Sequence, residues 1–408
     1  MIKNSVSFIA VSVLLMFTMQ LNAQNWPGWR GGNSDGTSNE KNLPIEWTPN
    51  SFKWKTAVPG EGYASPVIWG KHIFLVSALV EEQERVLLCY DKTNGKLLWQ
   101  KTVIKAVLER KHPDNGYASS TPVTDGKKVF VTFQDGDEVA VAAYDFNGNQ
   151  LWLSKPGKFA SPHGFCSSPV LYKDKVIVNA GNHDDSFVAA LNIKDGSLAY
   201  KIDQPAKQLS YMVPIIKNMA GKAQMIVGTG KRVISYNPEN GTEFWTVDGP
   251  SDEFASTPVY DSKTGFLIIC SSYPRRQLLA IRPDGSGNVS ETHVVWKQAQ
   301  GAPYTPSPTL AGEYLFCTHT SGNLYCYKVS TGEVLWSEKT GAQYSSPVFA
   351  GGLLYLLNDA GEVHVIKPGL TYERIALNHI NEKGYPSPAI SESKMYYRGD
   401  KHLMCIGM

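Results

Sequence analysis

The stretch Tyr344-Ser345-Ser346-Pro347-Val348 returns, with variation, eight times along the chain. It reads Tyr63-Ala64-Ser65-Pro66-Val67 near the start and Tyr385-Pro386-Ser387-Pro388-Ala389 near the end. Between them lie Tyr117 to Val123, Phe165 to Val170, Phe254 to Val259 and Tyr304 to Thr309, with a worn copy at Tyr211-Met212-Val213-Pro214-Ile215. The prolines fall at 66, 122, 169, 214, 258, 308, 347 and 388, a spacing of 39 to 56 residues. A period in that range restricts a chain to a propeller, a solenoid or an array, in which each unit buries its faces only against its neighbours.

Each repeat follows one plan. The Ser-Pro-Val stretch opens an inner strand, and a turn such as Trp69-Gly70-Lys71 leads to a second strand, Ile73-Phe74-Leu75-Val76. A loop leads to a third, Val86-Leu87-Leu88-Cys89-Tyr90-Asp91, and a glycine turn to a fourth that carries an aromatic. Four short alternating strands with glycine turns make one propeller blade. The glycine-to-aromatic spacing is four in Gly95 to Trp99, Gly148 to Trp152, Gly196 to Tyr200, Gly241 to Trp245 and Gly332 to Trp336. Repeat five has a longer turn, Asp284-Gly285-Ser286-Gly287, before Trp296, and repeat seven has Thr371 to Leu377 in place of the aromatic. The last repeat ends after three strands, while Phe52-Lys53-Trp54-Lys55 precedes the first. That segment is expected to supply the missing outer strand, which leaves no open sheet edge. The expected fold is therefore all-β: an eight-bladed propeller of four-stranded antiparallel blades. A seven-bladed reading would discard residues 211–245, where the proline and the glycine-to-Trp turn are both intact.

Residues 1–23 read as a secretory signal, with Lys3, an apolar run from Phe8 to Phe17 and a small residue at Ala23. The run is too short for a comfortable membrane span, which takes about 20 residues. Cleavage is expected after Ala23. No cysteine follows the run, so a periplasmic or secreted monomer without a lipid anchor is expected. Residues 24–50, with Trp26 and Trp29, read as an extended segment packed on a propeller of residues 51–408. A formal charge of +2 provides no basic excess for a phosphate backbone, so nucleic acid is not an expected partner. Cys89, Cys326 and Cys405 share one slot of the repeat with Ala143, Ala190, Ser235, Ala280 and Val365, which marks a small buried position. Cys317 and Cys326 flank Ser321-Gly322. A two-residue hairpin loop there would set them opposite each other, close enough for a bridge; the plainer reading is two free thiols.

The turns Asp91-Lys92-Thr93-Asn94-Gly95-Lys96-Leu97-Leu98-Trp99 and Ser330-Thr331-Gly332-Glu333-Val334-Leu335-Trp336 resemble the tryptophan-docking motif of pyrroloquinoline-quinone (PQQ) propellers. That group holds quinoprotein alcohol dehydrogenases and also BamB, a non-catalytic outer-membrane assembly lipoprotein. The segments Trp26 to Gly31, Tyr117 to Val123 and Glu291 to Trp296 are similar to those of exported bacterial PQQ-binding-like, or BamB-like, propeller proteins. The resemblance covers residues 24–408 and implies the propeller fold. Its departures are specific. The dehydrogenases carry an adjacent-cysteine disulfide, and no Cys-Cys pair occurs here. Their carboxylate base and calcium ligands map onto no residue of this chain, and BamB's lipid-bearing cysteine has no counterpart.

The aromatics that head the inner strands, Tyr63, Tyr117, Phe165, Tyr211, Phe254, Tyr304, Tyr344 and Tyr385, all belong to the face around the channel mouth. Repetition favours a structural wedge; the functional alternative is an aromatic collar that stacks on a sugar or an extended peptide. A second group is not repeated. His112 and His163 enter blades two and three, and Asn182-His183-Asp184-Asp185 is a loop of blade three in the same sector. His112, His163, His183, Asp184 and Asp185 are a candidate divalent-metal set, although their spacing matches no known site and polar loops are ordinarily just solvated. Arg275 and Arg276, in the equivalent loop of blade five, suit a carboxylate or phosphate. The acidic loops Glu81 to Glu84 and Asp135 to Glu138 read as solvated, with weak calcium as the minority alternative. No nucleophile elbow, zinc-protease helix, Cys-x-x-Cys or phosphate loop is present. The expected function is a non-catalytic binding or scaffold module for a protein or glycan ligand, with no cofactor. The alternatives are an enzyme (a dehydrogenase using PQQ and calcium, or a metal-assisted lyase or hydrolase) and a BamB-like assembly factor.

Overall fold

The computed structural model describes residues 25–407, apart from residues 184, 205–208, 250 and 272. The expected signal segment and its cleavage point lie outside the described residues. Among the described residues the chain is built from strands, with one 3-10 turn at Pro49–Ser51, and no helix is long and apolar enough to cross a membrane.

Eight sheets, each built on a four-stranded meander, radiate as blades. Blades 1 to 7 span residues 67–105, 123–154, 170–203, 215–248, 259–298, 309–339 and 348–379. Blade 8 spans residues 389–407 and is completed by Phe52–Ala57, antiparallel to His402–Gly407 with Trp54 opposite Cys405. The middle strands are buried on both sides because each blade is sandwiched between two others. Residues 73–78 and 86–90 are accordingly an almost continuous apolar run. The outermost strand touches a neighbour on one side only, so Phe52–Ala57 alternates half-buried and exposed.

The small slot on the third strand has a geometric cause. Cys89 lies between Phe74 and Trp99, Ala143 between Phe130 and Trp152, and Cys326 between Phe316 and Trp336. In each blade the two rings meet across the small residue, with centroids 6.1, 5.9 and 5.8 Å apart. A bulkier side chain in the slot would push them apart.

The outer-strand aromatic then joins one blade to the next. Trp99 donates its indole N–H to the Phe146 carbonyl, Trp152 to Ile193, Trp296 to Val329 and Trp336 to Gly369, at 2.9–3.3 Å. For Trp99, Trp152 and Trp296 the ring also packs on the glycine of that turn. A Cβ on Gly148, Gly196 or Gly332 would sit 2.5–3.0 Å from Trp99, Trp152 or Trp296. Trp54 does the same to Lys92 and Gly95 of blade 1, so the closing strand locks first blade to last by the joint used elsewhere. The two irregular repeats follow from this joint. In blade 4, Trp245 bonds Gln224 of its own blade, and Gln224 reaches the Pro283 carbonyl of blade 5. The longer turn of blade 5 sends Gly287–Asn288 back as a parallel fifth strand on blade 4. Blade 7 has Ala376 at the docking position because blade 8, split between the two chain ends, has no third-to-fourth turn to receive a ring. Trp47 of the N-terminal segment fills in, bonding Asn378 and the His379 carbonyl and packing on Tyr397.

The N-terminal segment crosses the channel as well as packing on the propeller. Trp26 bridges to Ile68 of blade 1, and Trp29 donates to Thr257 of blade 5 at 2.9 Å. Arg30, fully buried, donates to the Pro308 carbonyl and Thr309 of blade 6. Thr37–Ser38 then runs parallel to the inner strand of blade 7.

The bridge considered between Cys317 and Cys326 is absent, and all six cysteines are thiols. The hairpin loop has three residues rather than two, closed by His319 N–H to the Asn323 carbonyl. That moves the register by one: Cys326 faces Phe316, and Cys317 faces Tyr325. A one-residue shift turns the two thiols to opposite sides of the sheet.

The tryptophan joint predicts an asymmetry between two glycines of equal backbone conformation. Gly332 (φ +73°) lies under Trp296, whereas Gly265 (φ +74°) faces open space. Changing either to Ala costs about 1 kcal/mol for the left-handed backbone. Gly332→Ala loses a further ~1–3 kcal/mol by displacing the ring. Urea unfolding of the two variants checks this; equal midpoints would refute it.

Candidate functional site

The strand that opens each blade starts at the channel mouth, so the residue before its Ser-Pro step is carried to that rim. A cavity of about 240 Å³ lies there. Its wall holds Tyr63, Tyr211, Tyr304, Tyr344 and Tyr385, and Trp29 closes it from below. Tyr385 is the hub of one half: its ring meets Tyr63 at 4.9 Å and Tyr344 at 5.1 Å, edge to face in both cases.

The remaining three aromatics lie elsewhere. Phe254 is fully buried over Gly228, a glycine on which a Cβ would strike its ring. Phe165 is buried against Phe159 at 5.1 Å. Both lack the hydroxyl that would reward a wet position. Tyr117 sits outside the cavity, under Lys111 Nζ at 4.8 Å, and packs on the core between blades 1 and 2. The collar of eight thus becomes a wall of five.

His112 and His163 both line the cavity, with ring centroids 5.5 Å apart, and His163 meets Tyr211 edge on at 5.5 Å. His183 stays on the exposed rim and Asp185 caps Asn182 through its backbone N–H; Asp184 lies outside the described residues. Among the described residues no three His, Cys, Asp or Glu side chains converge as metal ligands. Arg276 stacks over Tyr304 at 5.4 Å and contacts His319, whereas Arg275 is exposed beyond the rim. In the acidic loops, Asp135 and Glu138 share Lys155, and Glu84 pairs with Lys105.

Two contributors were hidden from repeat-based reading. The connection between blades 1 and 2 is long, and its Asp114 accepts a hydrogen bond from the Tyr344 hydroxyl of blade 7 at 3.0 Å. Its Asn115 donates to the His163 carbonyl at 2.7 Å. The loop is thereby tied across the mouth at both sides. Its length was the only signal in the sequence. The second contributor is the hydroxyl residue before the proline in five blades: Ser168, Thr257, Ser307, Ser346 and Ser387 line the cavity.

Burial dominates the electrostatics of the tyrosine wall, with Asp114 as the carboxylate among the lining residues. Burial holds the Tyr63 phenol up at about 12, and raises those of Tyr211, Tyr304, Tyr344 and Tyr385. Burial also holds His163 below its usual value, and His112 and His183 add to the effect. At neutral pH the phenols of the wall and the His163 imidazole are therefore uncharged. Among the described residues no Lys or Arg lines the cavity. A tricarboxylate quinone with calcium would need cationic side chains and a carboxylate cage, and neither is present in this donor set.

The fold and mouth define a class: an eight-bladed propeller of PQQ-like repeats with a blind aromatic cavity. The chain belongs to the family of the outer membrane protein assembly factor BamB, whose model matches residues 82–338 and 287–368. It is 20% identical over 267 residues to the outer membrane protein assembly factor BamB of Shewanella oneidensis, covering 61% of this chain and 64% of that relative's length. Among solved structures it is similar to BamB from Moraxella catarrhalis, with a TM-score of 0.61 and 15% identity over 87% of this chain and 98% of the other. A europium-containing methanol dehydrogenase gives 0.63 and 11% over 94% and 98%. At these identities the two structures speak for the fold alone.

A depressed folded-state value means that the unfolded chain takes the proton first as pH falls. His163 therefore contributes stability that is lost below its ordinary value of 6.5. The His163 ring signal in NMR should titrate below pH 6.5, and His112→Ala should move its midpoint upward. A midpoint at or above the ordinary value, or one unmoved by His112→Ala, would refute the arrangement.

Proposed function

We propose that this chain is a non-catalytic recognition propeller of the bacterial envelope, which holds an uncharged, ring-bearing group of a glycan or protein in its mouth cavity. The carrying observation is the convergence of five tyrosines from five blades on one cavity with a tryptophan floor. Tyrosine offers a broad apolar face and a hydroxyl donor at low entropic cost, which suits binding. Nothing in the cavity resembles an activated nucleophile: Cys166 lines it, but burial pushes its thiol up to about 12. Export and cleavage after Ala23 are part of this proposal, as is a monomeric state.

The test is calorimetry with glycan fragments and exposed-loop peptides of envelope proteins. Tyr385→Ala should weaken binding at least tenfold, as expected of a central aromatic anchor worth about 2 kcal/mol. Tyr117→Ala, outside the cavity, should leave it unchanged. Equal effects of the two would sink the mouth as the site.

Family membership favours a second reading, participation in outer-membrane protein assembly as the relatives' name states. Affinity purification from the native envelope checks it. Co-purification with the outer-membrane assembly machinery, surviving Tyr385→Ala, would assign that role to a surface other than the mouth.

A further inference from the structure

The residue before each proline forms a seam around the channel. Thr257 N–H donates to the Ser307 hydroxyl, Ser307 N–H to Ser346, and Ser346 N–H to Ser387, each at 2.9 Å and each into the next blade. The same bond runs from Thr121 N–H to Ser168 at 2.9 Å. Thr257 itself accepts the Trp29 indole N–H. A hydroxyl has one hydrogen to give and two lone pairs. Ser168, Thr257, Ser307, Ser346 and Ser387 each use a lone pair, yet none gives its hydrogen to a protein acceptor among the described residues. All five are nearly completely buried and line the cavity. Accepting an N–H polarises each one as a donor. A buried donor left without an acceptor is costly, so the floor is built to meet one.

We propose that the mouth cavity takes the uncharged chain end of a saccharide, seated end-on with its oxygens on this arc of hydroxyl donors and its ring against the tyrosine wall. This rests on the mouth being the binding site, as argued above. Trp29 closes the channel beneath, so a chain enters by its terminus and does not thread through. Hydroxyl donors alone would also suit a carboxylate, but the charges disfavour one. Asp114 lines the cavity, and Asp359 and Asp400 lie near enough to act on Tyr385. No Lys or Arg among the described residues lines the cavity to offset them. Asp114 and the His163 imidazole provide acceptors for the sugar's own hydroxyl hydrogens.

The test uses the full mature chain and calorimetry with neutral gluco-, galacto-, manno- and xylo-disaccharides, their tetrasaccharides, the matching uronides and free C-terminal peptides. At least one neutral disaccharide should bind, with an affinity per chain end that changes less than about threefold on lengthening to the tetrasaccharide. The Ser346→Ala, Ser387→Ala double variant removes two donors, so binding should fall at least tenfold. Thr121→Ala is the control. It loses the same inter-blade bond from Ser65 N–H but faces no ligand, so affinity should hold. Failure of every neutral saccharide to bind overturns the inference, as does equal loss with Thr121→Ala. Binding of a uronide or peptide that Tyr385→Ala abolishes would also overturn it while leaving the mouth as the site. Saccharide binding indifferent to Tyr385→Ala would remove the mouth reading as well.

Discussion

The molecule depends on one joint, an indole laid flat on the glycine of the next blade's turn with its N–H on that turn's carbonyl. The ring needs a small residue beside it, which fixes the third-strand slot, and a bare backbone opposite it, which fixes the glycine. Two sequence features that look independent, Cys or Ala on one strand and Gly four residues before an aromatic, are both consequences of placing one large ring between blades. Closure by Trp54 on Gly95 makes the ring of joints nearly complete. Blade 3 makes the joint with Tyr200, whose hydroxyl donates to the Pro238 carbonyl, and blade 4 turns Trp245 onto its own Gln224; at blade 7 the chain ends leave no turn to dock on, and Trp47 covers the gap from outside the repeat.

The same repeat builds the mouth, by a different chemistry at the other end of the strand. There the joint is a hydrogen bond between consecutive inner strands, N–H to hydroxyl. It breaks where Val213 replaces the hydroxyl residue, in the worn copy of the motif, and again between Ser387 and Ser65, whose hydroxyl accepts no such bond. A seam made this way is structural in its N–H bonds and open in its hydroxyl hydrogens. One motif can therefore hold the channel together and still present donors to what enters it. The tyrosine two or three residues earlier completes the wall in five blades. In blades 3 and 5 a phenylalanine in the same register turns into the core instead.

The architecture was legible because it is periodic. Proline spacing counted blades, the Gly-to-aromatic interval located outer strands, and the surplus strand at Phe52 predicted closure on the last blade. Local geometry was less legible. Cys317 and Cys326 were misplaced relative to each other because a three-residue loop reads almost like a two-residue one, and a single residue of register reverses a side chain. The candidate site was legible only in part. Tyr63, Tyr211, Tyr304, Tyr344 and Tyr385 could be nominated from repeat position, and His112 and His163 because they break the repeat in one sector. Asp114, reaching Tyr344 from 230 residues away, could not.

The sequence alone determined the number of blades, the strand order and the face on which the inner-strand aromatics begin. These follow from local spacing, which repeats and so averages out its own irregularities. The tertiary structure alone decided that Trp29 closes the channel, that five of the eight aromatics line the cavity, and that no Lys or Arg among the described residues stands in its walls. Those features come from contacts between distant, non-repeating segments. Nothing local encodes them, because each depends on where the closed ring brings the other side of the mouth.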